Sequence, residues 1–209
     1  MRVLVACEES QQVCKAFRRL GHEAYSCDIQ DCSGDRPEWH IKDDVLKVLN
    51  DGWDMLIGFP PCTFLSNAGA RHLYPKGVLN RDRYNKGLEA KKFFMSLWNA
   101  PIKHIALENP TPSRVYKLPE PSQVIQPYFF GEPYSKRTLL WLKKLSPLRH
   151  TKVLSHYKPY IITKSVNKQK AYAGWNSDSK QRSKTFSGIA AAMADQWSIP
   201  EYTEQLTLF

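Results

Sequence analysis

Two residues in this chain have the types and the placing for covalent chemistry. Cys62 follows Pro60-Pro61 just beyond the apolar run 54–58, and Glu108 opens Glu108-Asn109-Pro110 beyond the run 103–107. Paired prolines fix φ and deny helix to the residue before them, so the thiol sits on a stiff, extended loop. Such positioning supplies much of the rate of a nucleophilic attack. A thiol attacks as the thiolate, which needs a cationic or dipolar neighbour. A carboxyl held in a pocket can keep its proton at neutral pH and donate it. The same residues also suit a small packed side chain and a turn cap, or a hydrolase nucleophile with His72 or His104 as base.

The surrounding pattern says what must position them. Residues 2–6, 23–28, 54–58, 103–107 and 139–142 are predicted strands, being short, apolar and bounded by turn residues. Residues 11–20, 83–98 and 188–197 carry helical periodicity, with Val13, Ala16, Phe17 and Leu20 on one face of the first, and 44–49 suggests a short helix. Strand–helix alternation predicts a mostly parallel α/β sheet with helices on both faces. Ligands of such sheets bind beyond the carboxyl ends of the strands. Those ends hold Cys7-Glu8-Glu9-Ser10, Cys27-Asp28, Gly58 to Cys62, and Glu108-Asn109-Pro110.

At 209 residues and 42% hydrophobic, the chain suffices for one sizeable core. It has no apolar run near bilayer length, and its acidic start after four apolar residues reads as no signal peptide. Cys7, Cys14, Cys27, Cys32 and Cys62 form no Cys-x-x-Cys, so no zinc site or other metal is expected. An odd cysteine count suits a reducing, cytoplasmic setting. The net charge is +10, and residues 149–184 carry nine Lys and Arg against one acid, Asp178. That block suits either a polyanionic partner or a solvated face. The expected organisation is a core over 1–148, a basic insert over 149–184, a last core helix over 185–200 and a tail over 201–209.

Residues 58–69, GFPPCTFLSNAG, resemble the signature of the DNA cytosine-5 methyltransferase family: Pro60, Pro61, Cys62, Ser66, Ala68 and Gly69 match, with Thr63 where the family usually has Gln. Glu108-Asn109-Pro110 resembles the family's Glu-Asn-Val, at comparable spacing. The resemblance implies a Rossmann-like S-adenosylmethionine-dependent methyltransferase fold of a compact bacterial or phage type, acting on DNA. It implies that Cys62 adds to C6 of cytosine while Glu108 acts as its acid partner. Asp28 would hold the cofactor ribose, and Asp44, with Asp43 as rival, would lie near the adenine amine. Cys7, Ser10 and Phe59 would line the cofactor, and the amides at Gly188 would take its carboxylate. Ser66, Asn109, Lys136 and Arg137 would face the substrate, the last two as counterparts of the family's Gln-x-Arg-x-Arg.

The chain also departs from the family elsewhere, and its last helix opens with Gly188-Ile189 in place of Gly-Asn. The first loop, Ala6 to Gln11, has no glycine where the family has Phe-x-Gly-x-Gly. Only about fifty residues separate Ser135 from Gly188, too few for a recognition domain. An enzyme acting on free nucleotide or single-stranded nucleic acid, and a non-catalytic relative, therefore stand as alternatives. The last residues, Gln205-Leu206-Thr207-Leu208-Phe209, resemble the bacterial sliding-clamp-binding peptide, in which Leu206, Leu208 and Phe209 would fill apolar pockets and Gln205 would hydrogen-bond.

Overall fold

The computed structural model describes residues 1–70, 72–160 and 183–198. In chain order the elements are β1 (Arg2–Ala6), α1 (Gln12–Arg19), β2 (Glu23–Asp28), β3 (His40–Lys42), β4 (Met55–Gly58), α2 (Asn67–Ala70), α3 (Arg81–Trp98), β5 (His104–Asn109), β6 (Gln123–Ile125), β7 (Tyr134–Ser135), β8 (Thr138–Lys143), β9 (Lys158–Pro159) and α4 (Ser187–Trp197). Seven strands form one sheet in the order β3-β2-β1-β4-β5-β8-β6, and β7 pairs with β9 apart from it. The first five strands of that order are parallel, and β8 runs antiparallel between β5 and β6. This is the Rossmann-like, mostly parallel α/β sheet expected from the alternation of elements.

The period-2 alternation of β1 divides the core. Val3 and Val5 face a cluster with Met55, Ile57, Val13 and Phe17 of α1, and Ile189, Met193 and Trp197 of α4. Leu4 and Ala6 face the opposite cluster with Leu56, Ile105, Phe94 and Leu97 of α3, and Trp141 of β8. Helices thus cover both faces, and the sheet, buried on each side, reads as near-continuous apolar runs. Trp141 is fully buried, meets Phe94 edge-on at 5.1 Å and donates its indole N–H to the Pro119 carbonyl at 2.7 Å.

Some expectations shift in detail. The short helix at 44–49 is a single 3₁₀ turn at Val45–Lys47, held by Asp44, which accepts from the Leu46 amide at 3.0 Å. No helix among the described residues is long and apolar enough to cross a membrane, and among them no group of three His, Cys, Asp or Glu could hold a metal. Most of the basic insert and the tail with Gln205, Leu206, Leu208 and Phe209 lie outside the described residues.

Candidate functional site

The Cys62 loop is braced to the end of β5 at four points. Asn109, fully buried, donates its side-chain amide to the Pro60 carbonyl at 2.8 Å. The Asn67 amide donates to the Thr111 carbonyl at 2.8 Å and the Ser113 amide to the Leu65 carbonyl at 2.7 Å. Ser66 forms a β-bridge with Pro112. Inside the loop, the Cys62 carbonyl accepts from the Leu65 and Ser66 amides at 3.1 and 2.8 Å. Arg83 of α3 donates to the Thr63 carbonyl at 3.1 Å and lies over the Phe64 ring. Cys62 is half-buried, so the loop neither seals its sulfur in the core nor leaves it free in solvent.

Of the residues assigned to substrate, Asn109 and Ser66 are buried and tie the loop to the end of β5. Lys136 and Arg137 lie just before β8, half-buried and exposed respectively, and Arg137 donates to the Thr111 hydroxyl at 3.3 Å. The Lys136 amide donates to the Gln126 side chain at 2.8 Å.

Glu108 is half-buried beside them. Burial pushes its carboxyl above the ordinary range, against the opposing pull of the Lys136 charge and a hydrogen bond with the Thr138 hydroxyl. That is the environment of a carboxyl that can retain and deliver a proton. Neither histidine suits a hydrolase. His104 begins β5 at the opposite edge of the sheet and binds the Lys144 carbonyl at 2.7 Å, and His72 is exposed.

At the other half of the edge, β1, β2 and β3 end in an acidic cradle. Burial, Asp28, Cys27 and Asp44 together push the Cys7 thiol far above its ordinary value, which also sets both carboxylates within electrostatic reach of it. Asp28 accepts from the Gln30 amide at 2.9 Å, and next to it Ile29 is 75% exposed. Phe59 is half-buried against the core, and its amide continues the ladder to the Ala6 carbonyl at 3.0 Å. Ser10 is buried within the first loop.

That loop turns without glycine by placing two ordinary residues at positive φ, Cys7 at 57° and Gln11 at 59°. Its Glu8 carboxylate folds onto the start of α1 and accepts from the Val13 and Cys14 amides at 2.7 and 3.1 Å. Glu9 is also buried, and one of its oxygens has no hydrogen-bond partner among the described residues.

The start of α4, which the resemblance assigns to a cofactor carboxylate through Gly188, holds a side chain of this protein. Glu132 accepts from the Gly188 amide at 3.1 Å and from the Ser187 hydroxyl at 2.8 Å. The glycine is there for packing, since a Cβ would overlap the Phe130 carbonyl. Sequence reasoning did not find Glu8 and Glu132 as helix-terminal acceptors. Neither occupies the Ser/Thr/Asp/Asn N-cap position that marks a helix start, and Glu132 lies 56 residues from the amide it holds.

Two solved structures resemble the chain in part. One is described as a DNA modification methyltransferase encoded within an E. coli prophage: 13% identity and a TM-score of 0.45, covering 68% of this chain and 46% of that one. The other is a variant of Spodoptera frugiperda DNMT2: 12% identity and a TM-score of 0.38, covering 75% of this chain and 54% of that one. This chain thus spans about half the length of each. No family model and no curated protein matches it.

Proposed function

We propose that the chain is a DNA (cytosine-5) methyltransferase, with Cys62 as nucleophile, Glu108 as acid and S-adenosylmethionine as methyl donor. The observation that carries this reading is the bracing of the Pro-Pro-Cys loop to the β5 end, with Asn109 clamping Pro60 one residue from a carboxyl of raised pKa.

In the reaction, the Cys62 thiolate forms a bond to C6 of a cytosine, and Glu108 gives its proton to N3 as charge develops on the ring. C5 thereby becomes electron-rich. S-adenosylmethionine, when bound, would supply the methyl group that C5 takes up, its S–CH3 bond breaking and the donor leaving as neutral S-adenosylhomocysteine. Loss of the C5 proton to solvent and cleavage of the C6–Sγ bond restore the ring and the thiolate, and the N3 proton returns to Glu108. A base in duplex DNA must leave the stack to reach such a site.

The residues at the acidic cradle suit the nucleoside half and the positive charge of that donor. Asp28 and Asp44 would take the ribose and adenine polar groups, and the exposed Ile29 side chain would lie against a flat ring. Glu9, with its unpartnered buried oxygen, suits an ammonium group. The Gly188 amide is already taken, so the amino-acid carboxylate needs donors other than that helix end.

The test is mass spectrometry of nucleosides from DNA incubated with the protein and labelled S-adenosylmethionine. 5-Methylcytosine is expected with the wild type and none with Cys62→Ser. Label appearing with that variant would overturn the assignment. A non-catalytic DNA-binding relative is the second reading, favoured by the closure of both helix starts with Glu8 and Glu132. Calorimetry decides between them: heat of binding with S-adenosylhomocysteine supports the enzyme, and none supports the relative.

A further inference from the structure

The far end of the same sheet edge carries two parallel ring stacks side by side. Tyr128 and Tyr157 stack at 3.8 Å with planes 5° apart. Phe129 and His150 stack at 4.0 Å with planes 17° apart. Tyr128 and Phe129 are chain neighbours that meet edge-on at 4.6 Å, so the stacks are held as one unit. Backbone bonds fix the pairing, since the Leu154 amide donates to the Tyr128 carbonyl at 2.9 Å and the Thr151 and Lys152 amides to the Phe129 carbonyl at 3.2 and 3.1 Å.

The outer ring of each stack meets solvent. Tyr157 keeps 48% of its surface exposed although Tyr128 covers one face, and His150 is exposed too. Around them Lys and Arg predominate, and the nearby Glu132, whose amide donates to the Pro127 carbonyl at 3.2 Å, turns its carboxylate to Ser187 and Gly188. Residues 133–160 contain seven Lys and Arg and no Asp or Glu, with Arg149, Lys152 and Lys158 beside the rings in sequence. Ring faces set among cations suit a flexible polyanion whose units are themselves flat rings. The bases of a duplex hide their faces from such a surface, and those of a single strand do not.

We infer that the Tyr128–Tyr157 and Phe129–His150 stacks form a platform on which unpaired bases of a nucleic-acid strand stack, with the neighbouring basic residues tracking its phosphates. The platform lies beyond β6 and next to Lys136, where a strand led away from Glu108 would pass. It extends the nucleic-acid reading of the site, but its test is separable, because a thymine oligomer offers no cytosine to Cys62.

Fluorescence anisotropy of the full chain with labelled oligo-dT, oligo-rU and a mixed-sequence duplex reads the platform directly. Tyr157→Leu is expected to weaken oligo-dT binding about tenfold while changing duplex binding little. Tyr157→Phe, which keeps the ring, is expected to bind as the wild type does, which separates stacking from any effect on folding. Preference for oligo-dT over oligo-rU assigns the platform to DNA, and the reverse assigns it to RNA. Equal loss in the Leu and Phe variants, or no loss in the Leu variant, overturns the proposal.

Discussion

At the scale of single residues, the proposed reaction depends on one acid keeping its proton. Burial raises the Glu108 pKa, so its donating form persists to higher pH than an ordinary carboxyl allows. Activity is therefore expected to fall as pH rises through that raised pKa, and kcat measured against pH should lose this limb in Glu108→Gln. The same substitution is expected to lower kcat about 10²- to 10⁴-fold, the usual contribution of a placed acid. Asn109→Ala tests the brace rather than the chemistry. It leaves the Pro60 carbonyl without its buried donor, at a cost of about 1–3 kcal/mol in thermal or denaturant unfolding. The loosened loop should also speed alkylation of Cys62 by iodoacetamide, a readout that a purely global loss of stability would spread over the other cysteines.

At the scale of elements, the start of α1 ties stability to pH through Glu8. Burial lifts its pKa from 4.5 to about 7, against the pull of the Val13 and Cys14 amides. The folded state therefore holds a proton that the unfolded chain gives up above pH 4.5. This group's contribution is complete below that value and is lost as pH rises through about 7, a difference of about 3 kcal/mol. Unfolding measured from pH 4 to 8 should show the decline, and Glu8→Gln should flatten it. Gly188→Ala is expected to destabilise by about 1–3 kcal/mol, because the added carbon meets backbone at Phe130 and not a side chain that can turn away.

The long or fully buried elements were legible in the sequence. The strands β1 and β2 have the predicted limits, and α3 and α4 differ only by one or two residues at their starts, because apolar runs and helical spacing leave strong local signals. The three-residue strands β3 and β6 left none, since their pairing is decided by neighbours far along the chain. Leu88 falls on the apolar spacing of α3 yet is 42% exposed, while Gly87 lies buried beneath Tyr116. Periodicity marks a stripe but not what covers it. For the candidate site, the placing of Cys62 beyond β4 and of Glu108 at the end of β5 was legible in the sequence. The inward turn of Asn109 and the closure of α4 by Glu132 were not, because both depend on contacts between distant segments.

At the scale of the molecule, the strand order sorts charge along one edge. Glu8, Glu9, Asp28, Asp43 and Asp44 lie at the ends of β1, β2 and β3, Cys62 and Glu108 follow β4 and β5, and Lys136 and Arg137 precede β8. Binding to nucleic acid is expected to weaken steeply with salt, and replacing Arg149, Lys152 or Lys158 by Ala should flatten log Kd against log salt by about one unit each. Sorting of this kind does more than set affinity. It gives the protein a permanent electrical asymmetry, so a negatively charged filament exerts a torque on it before the two touch. Tumbling is biased toward the orientation in which the cationic end leads and the anionic end, where a cationic small molecule would sit, trails away from the phosphates. Ionic strength should then slow encounter more than it hastens escape.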